Sequence, residues 1–401
     1  MSQRLLATWK AWMALPLSLR WAVIVWFALI AGVTGRVVTS KPTSQTVIPI
    51  YLVAGERWLH AENLYAPIPE FDVYRNPPLI AAGFAPLTYL PAKVAGVVVR
   101  LVSVSLFLWG LIRVRRSLLT ELSPSQTGWL FLLASVLVIP SFNNGQVNLL
   151  IAAVALHGVA AAGQEKWWQA AVWLSFAGWV KLYPFAIGLL VTLALPWRFG
   201  ARFLLCAVAG FALPFVLNDF GYVWDQYGDY VRYLGDDDRT YAALSRVPRD
   251  WTALPRSVFD SVPTPTVTKV VSLTVAALFA ALVYFRSHAK RVDSLLLALC
   301  LASIWMTAFG PATEMNTYSL LAAVAPIIVV TCSPRPRWRT ALAWSGYGLL
   351  AVTVMRGMFP DDWKFNVLGP QALGTLLLLA VAVRGRVASE ICWPRLVTHS
   401  F

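Results

Sequence analysis

The chain has 401 residues, of which 58% are apolar and 13% charged, roughly half the charged fraction of an ordinary soluble domain. With a mean hydropathy of +0.63, this composition excludes a soluble globular protein and points to a chain that crosses a bilayer repeatedly. The formal charge of +14 would suit a nucleic-acid partner, but its placement along the chain ties it to membrane topology instead.

The expected fold is all-α: a polytopic transmembrane helical bundle of about twelve spans, forming one integral membrane domain over residues 1–401. The first apolar run, 21–38, follows Arg4, Lys10 and Arg20 and leads into Arg36 and Lys41 without a small-residue cleavage signature. It reads as a retained anchor. The first long connection follows at 39–90. In it, Val47, Ile50, Tyr51, Ala54, Trp58 and Leu59 are spaced as the apolar face of an amphipathic helix lying on the membrane surface. Further crossings are expected at 91–112, 127–142, 147–162, 168–181, 184–196 and 202–217. A second long connection at 218–263 precedes crossings at 264–285, 294–310, 318–331, 340–356 and 369–384, with a shorter connection at 357–368.

Placing both termini on one side gathers Arg4, Lys10, Arg20, Arg113, Arg115, Arg116, Lys166, Arg198, Arg202, Arg286, Lys290, Arg291, Arg335, Arg337, Arg339, Arg384, Arg386 and Arg395 there, with only Glu121, Glu165, Asp293 and Glu390 against them. By the positive-inside rule that side is cytoplasmic. The long connections are then extracytoplasmic, on the multi-pass protein of a cytoplasmic (inner) membrane, and the excess positive charge meets anionic lipid headgroups. No GxxxxGK[ST] and no GxGxxG after a strand is present, so neither nucleotide nor cofactor is implied. Cys206, Cys300, Cys332 and Cys392 show no CxxC and no His at zinc-ligand spacing, so no metal is expected.

Several polar residues sit where apolar ones would be easier to bury. Asn144, Gln146 and Asn148 run from an Asn-Gly turn into the next helix, a pattern that fits either helix–helix hydrogen bonding or the lining of a polar cavity. Lys181 closes one crossing in Lys181-Leu-Tyr-Pro184, as an interfacial snorkelling lysine or as the partner of a phosphate. Glu314, with Asn316 and Tyr318, lies between two apolar runs, in a structural ion pair or in a site. In the first loop Glu56, Glu62, Glu70 and Asp72 are carboxylates within reach of the interface. In the second loop Asp225, Asp229, the run Asp236-Asp237-Asp238-Arg239, and Arg246, Arg249, Asp250 and Arg256 read as a solvated rim rather than a Mg²⁺ site.

In order along the chain stand Tyr51, Asn63-Leu-Tyr, Tyr74-Arg-Asn-Pro-Pro, Asn144-Gly-Gln-Val-Asn148, Lys181-Leu-Tyr-Pro184 and Gly310-Pro-Ala-Thr-Glu-Met-Asn-Thr-Tyr318. Together they resemble glycosyltransferase family 87 of the GT-C membrane glycosyltransferases, the polyprenol-phosphate-mannose-dependent α-mannosyltransferases. The resemblance implies a sugar, mannose, moved from a polyprenyl-phosphate co-substrate to a lipid or glycan hydroxyl by one inverting displacement. It implies that Lys181 and Arg75 hold the donor phosphate, and that Asn144, Gln146, Asn148, Tyr183, Asn316 and Tyr318 orient sugar and acceptor. The family's aspartate early in the first loop has no counterpart in Ser44-Gln-Thr-Val-Ile-Pro-Ile50, which leaves Glu56, Asp72 and Glu314 as candidates for the general base. A carrier or flippase would instead show paired broken helices in two repeated halves, which this chain lacks. A non-catalytic scaffold of the same fold is the other alternative.

Overall fold

The computed structural model describes residues 12–236, 241, 249–287, 290–311, 313–332, 336–355 and 369–384. Asp237, Asp238, Arg239, Arg246, Cys392, the 357–368 connection and the basic residues of both terminal segments lie outside them. Among the described residues every regular element is helical. The first half comprises α1 (Leu17–Thr39), α2 (Ile48–Leu59), α3 (Pro78–Phe84), α4 (Ala92–Ser117), α5 (Pro124–Asn144), α6 (Asn148–Gly163), α7 (Trp167–Val180), α8 (Phe185–Ala194) and α9 (Ala201–Leu217). Then follow α10 (Phe220–Asp236), α11 (Ala253–Phe259), α12 (Pro265–Arg286), α13 (Arg291–Ile304), α14 (Val324–Thr331), α15 (Arg337–Val354) and α16 (Pro370–Arg384).

Among the described residues six segments are long and apolar enough to cross a membrane: Leu17–Thr39, Ala92–Ser117, Pro124–Asn144, Pro196–Leu217, Pro265–Arg286 and Arg291–Phe309. They coincide with six of the twelve expected crossings. The other six fall on shorter helices or, for α15, a less apolar one. At about 1.5 Å per residue, α6 with its 16 residues is only about 24 Å long. Its position accounts for that: α6 is buried almost all round, and a helix sheathed by protein need not match the hydrocarbon thickness. By contrast, α1 and α12 leave most of their apolar surface uncovered, as helices facing lipid do.

Local sequence sets the helix ends that matter for the site. Ser123 and Gln126 form a reciprocal capping box that starts α5, with Pro124 at its first position. Gly145 ends the same helix at φ 77°, and both its own amide and that of Gln146 bond the Ser141 carbonyl. This left-handed cap suits glycine. A Cβ here would also come within 2.9 Å of the Ile48 side chain and 3.1 Å of the Arg100 guanidinium carbon.

The first long connection is not draped on the membrane surface as its amphipathic spacing predicted. Helix α2 forms, but Ile48, Ile50, Tyr51, Ala54 and Trp58 are buried inside the protein, while Leu59 stays exposed. Tyr51 stacks on Phe84 at 4.7 Å and meets Tyr74 edge-on at 6.3 Å. The apolar face finds a protein partner, α3, through the close approach of Gly55 to the Phe84 backbone. The two long connections also pack on each other. Asn218 donates to the Trp58 carbonyl at 2.8 Å, and Gln226 of α10 accepts the Leu64 amide at 2.8 Å. This gathers residues 40–91, 143–148, 181–184, 218–236, 249–264, 310–311 and 313–318 at one end of the bundle.

Candidate functional site

The site lies at that end, where four turns meet. At the α5–α6 turn, Gly145 reverses the chain so that Gln146 and Asn148 project from the start of α6. Asn148 is fully buried. Its carboxamide donates to Gln146 Oε1 at 2.7 Å, and its Oδ1 accepts from Lys181 Nζ at 3.1 Å and from the Tyr183 hydroxyl at 3.3 Å. Lys181 and Tyr183 lie in the extended break between α7 and α8, where Lys181 adopts φ −151° and Pro184 starts the next helix.

From Gln146 the network continues outward. Its Nε2 donates to Glu314 Oε2 at 3.3 Å, and Arg75 reaches the other oxygen, Oε1, at 3.4 Å. Arg75 also grips Asp72 with both terminal nitrogens, at 2.8 and 2.9 Å, and donates from Nε to the Tyr233 hydroxyl at 2.6 Å. Glu314 is held at the head of a 3₁₀ turn, where its amide donates to Thr317 Oγ1 at 3.2 Å. Residues from four separate stretches therefore form one connected polar chain: Asp72, Arg75, Glu314, Gln146, Asn148, and then Lys181 with Tyr183. The carboxylates of Asp72 and Glu314 are about half exposed and Arg75 about a quarter, so the network opens to the outside at one end and is sealed by Asn148 at the other.

Two phenols, Tyr51 buried and Tyr183 half-buried, lie within the influence of the Glu314 charge. Burial first, with the charge of Glu314 adding to it, raises Tyr51 and Tyr183 above the ordinary tyrosine range. Both are therefore neutral hydrogen-bond donors.

Other predicted residues stand at the margin. Glu56 is exposed on α2 and makes no ion pair among the described residues. Asn144 contributes through its carbonyl, which accepts from the Val47 amide at 3.1 Å and Thr46 Oγ1 at 2.9 Å, while its side-chain Oδ1 is buried without a hydrogen-bond partner. Asn316 is engaged through its carbonyl, by Ser141 Oγ at 2.7 Å, leaving its half-buried side chain beside Glu314. Tyr318 is buried and donates to the Arg249 carbonyl.

Arg249 and Asp250 are corrections to the solvated-rim reading of the second loop. Both are buried. The Arg249 amide bonds the Thr313 carbonyl at 2.6 Å, and the Trp251 amide bonds that of Ala308 at 2.9 Å, so this segment clamps the loop carrying Glu314. Burial raises the Asp250 carboxyl above the ordinary carboxylate range, against the lowering effect of the Thr252 hydroxyl and amide that donate to it. Among the described residues no group of three His, Cys, Asp or Glu side chains is placed to hold a metal ion.

Two participants carry no charge and escaped the sequence reading. Asn76, buried, donates to the Val180 carbonyl at 2.7 Å and so fixes the end of α7 just before Lys181. Its carbonyl is in turn held by the Tyr65 hydroxyl at 3.0 Å. Its only signal was its place before Pro77-Pro78. Tyr233 supplies the lid over Arg75 from the second long connection, and nothing in its spacing announced that role.

The comparison with protein families matches Glycosyltransferase family 87 over residues 74–311. The chain belongs to glycosyltransferase family 87. The match takes in Arg75, Gln146, Asn148 and Lys181 and stops just short of Glu314. A search of curated proteins finds no match. As a family member the protein is a membrane glycosyltransferase.

Proposed function

We propose that the protein transfers mannose from a polyprenyl phosphate to the hydroxyl of a lipid or glycan acceptor, at the extracytoplasmic face of a cytoplasmic membrane, with inversion at the anomeric carbon. The observation that carries this reading is the single hydrogen-bonded path between Lys181 and Glu314 through Asn148 and Gln146. It joins a cation and a carboxylate through two side-chain amides. Glu314 takes the acceptor proton as the hydroxyl attacks the anomeric carbon, and the polyprenyl phosphate leaves toward Lys181. A cation fixed in advance stabilises the charge growing on that phosphate. Gln146, Asn148 and Asn316 hold sugar hydroxyls.

Of the three candidate bases, Glu314 is best placed. Asp72 is committed to a two-pronged pair with Arg75, which favours a positioning role, and Glu56 stands apart from the network. Arg75 then serves Glu314 and the donor phosphate together. In this reading the six shorter or less apolar helices complete a GT-C bundle of about twelve crossings, and the distribution of Lys and Arg supports cytoplasmic termini.

The test is transfer from labelled polyprenyl-phosphate-mannose to endogenous lipids in membranes with and without the protein. Labelled glycolipid that appears only with the protein, and whose new bond has the configuration opposite to the donor's, supports the proposal. A product made equally well from a polyprenyl-phosphate-glucose donor refutes the choice of sugar. A retained configuration refutes the single displacement.

A further inference from the structure

Away from this site, between the end of α1 and the start of α4, lies a small open cleft whose lining includes Arg36, Lys41, Lys93 and Arg100 with the hydroxyl residues Ser44 and Thr46. No Asp or Glu is among the described residues that line it. At its floor Arg100, buried, is saturated by neutral acceptors. It reaches the Gly96, Phe142 and Asn143 carbonyls and Thr46 Oγ1 at 2.9 to 3.0 Å. Arg36 donates to the Asn143 carbonyl at 2.7 Å, while its Nε is buried without any hydrogen-bond partner. Lys93 uses one proton on the Val38 carbonyl at 2.8 Å, and Lys41 stands exposed at the mouth.

Capping the ends of α1 and α5 explains part of this set, since cations favour helix C-termini. It does not explain four cations in one cleft without a carboxylate. Like charges brought together repel unless an anion joins them, and two donors of Lys93, the ammonium of Lys41 and Arg36 Nε remain for one. The cleft also lies on the face where the positive-inside rule disfavours Lys and Arg. Its position names the class of anion. It opens where two candidate spans end, and α1 leaves most of its apolar surface uncovered beside it, so an acyl chain can run down α1 while the headgroup sits in the cleft.

We infer that this cleft binds the phosphate headgroup of a membrane lipid, at a site separate from Lys181 and Arg75. Arg36 and Arg100 grip the carbonyls of Phe142 and Asn143, a few residues before Gln146 and Asn148. A bound headgroup therefore also fixes the turn that carries the polar network.

The experiment uses the purified, delipidated full chain. Thermal stabilisation and native mass spectrometry follow the addition of phosphatidic acid, of diacylglycerol with the same acyl chains, and of inorganic phosphate. Phosphatidic acid is expected to bind and stabilise the protein where diacylglycerol does not, and the Lys41→Ala/Lys93→Ala double variant to need roughly tenfold more of it or beyond. Lys269→Ala, which removes an exposed lysine elsewhere on the protein, should respond as the parent does and so shows that loss of one charge is not enough. Equal binding by the double variant, or equal binding of diacylglycerol, overturns the site. Stabilisation by inorganic phosphate with no response to phosphatidic acid overturns the lipid and leaves a free-anion site.

Discussion

Replacing Asn148 by Leu keeps its bulk and removes its polar atoms. Three hydrogen bonds go at once: two accepted, from Lys181 and Tyr183, and one donated, to Gln146. A bond to a charged group contributes about 1.5–3 kcal/mol and a neutral one about 1 kcal/mol, so the gross loss is about 3.5–5 kcal/mol. Lys181 and Tyr183 are only partly buried and can turn to water, which recovers some of this and leaves a net cost of about 2–3 kcal/mol. A thermal melt of the detergent-solubilised protein, followed by size-exclusion fluorescence, should fall by several degrees. Asn148→Asp separates fold from chemistry. It keeps the acceptor for Lys181 and Tyr183, so stability should stay near that of the parent, while a new anion beside Lys181 should suppress transfer. If Asn148→Leu melts with the parent, Asn148 does not tie these turns together and the reasoning fails.

Three further outcomes are expected. Gly145→Ala forces an L-residue to φ 77° and drives its Cβ against Ile48 and Arg100; strain and crowding together should cost about 2–4 kcal/mol, read in the same melt. For Asp250, the folded-state value lies above the unfolded one, so the folded protein binds more protons in that window and stability should fall as pH rises through it, from the ordinary carboxylate range upward. Asp250→Asn should flatten this decline, and an unchanged slope would assign it to another group. Asn76→Ala leaves the Val180 carbonyl without its donor and should lower stability by about 1–3 kcal/mol, with a loss of transfer that Asn76→Ser partly restores.

The sequence made the bundle legible where apolar runs were long, and six of them became helices able to cross a bilayer. The shorter runs were ambiguous, because a helix wrapped by its neighbours no longer needs the length that hydropathy measures. Gln146 and Asn148 were conspicuous as amides continuing into an apolar helix, and Lys181 as a lysine against the local charge bias. The structure joins all three. What spacing could not rank were the carboxylates. Glu56 and Asp72 lie in one loop, yet only Asp72 reaches Arg75, three residues on in the same turn, and it is Arg75 that meets the distant Glu314. The burial of Arg249 and Asp250 was hidden for a similar reason, since a charged loop reads as solvated until the segment it clamps is known. The amphipathic spacing of α2 identified Ile50, Tyr51, Ala54 and Trp58 of its buried face but not the exposure of Leu59, and periodicity is the same whether that face meets lipid or protein.

The account rests on Lys181 and Glu314 acting across one sugar. Its most direct test is the rate of mannose transfer by purified protein carrying Lys181→Ala, Glu314→Gln, Asp72→Asn or Glu56→Gln, each checked for parent-like folding. Glu314→Gln and Lys181→Ala should each lower the rate about a hundredfold or more, with Asp72→Asn intermediate and Glu56→Gln near the parent. Near-normal transfer by Glu314→Gln, or abolition by Glu56→Gln, would contradict it.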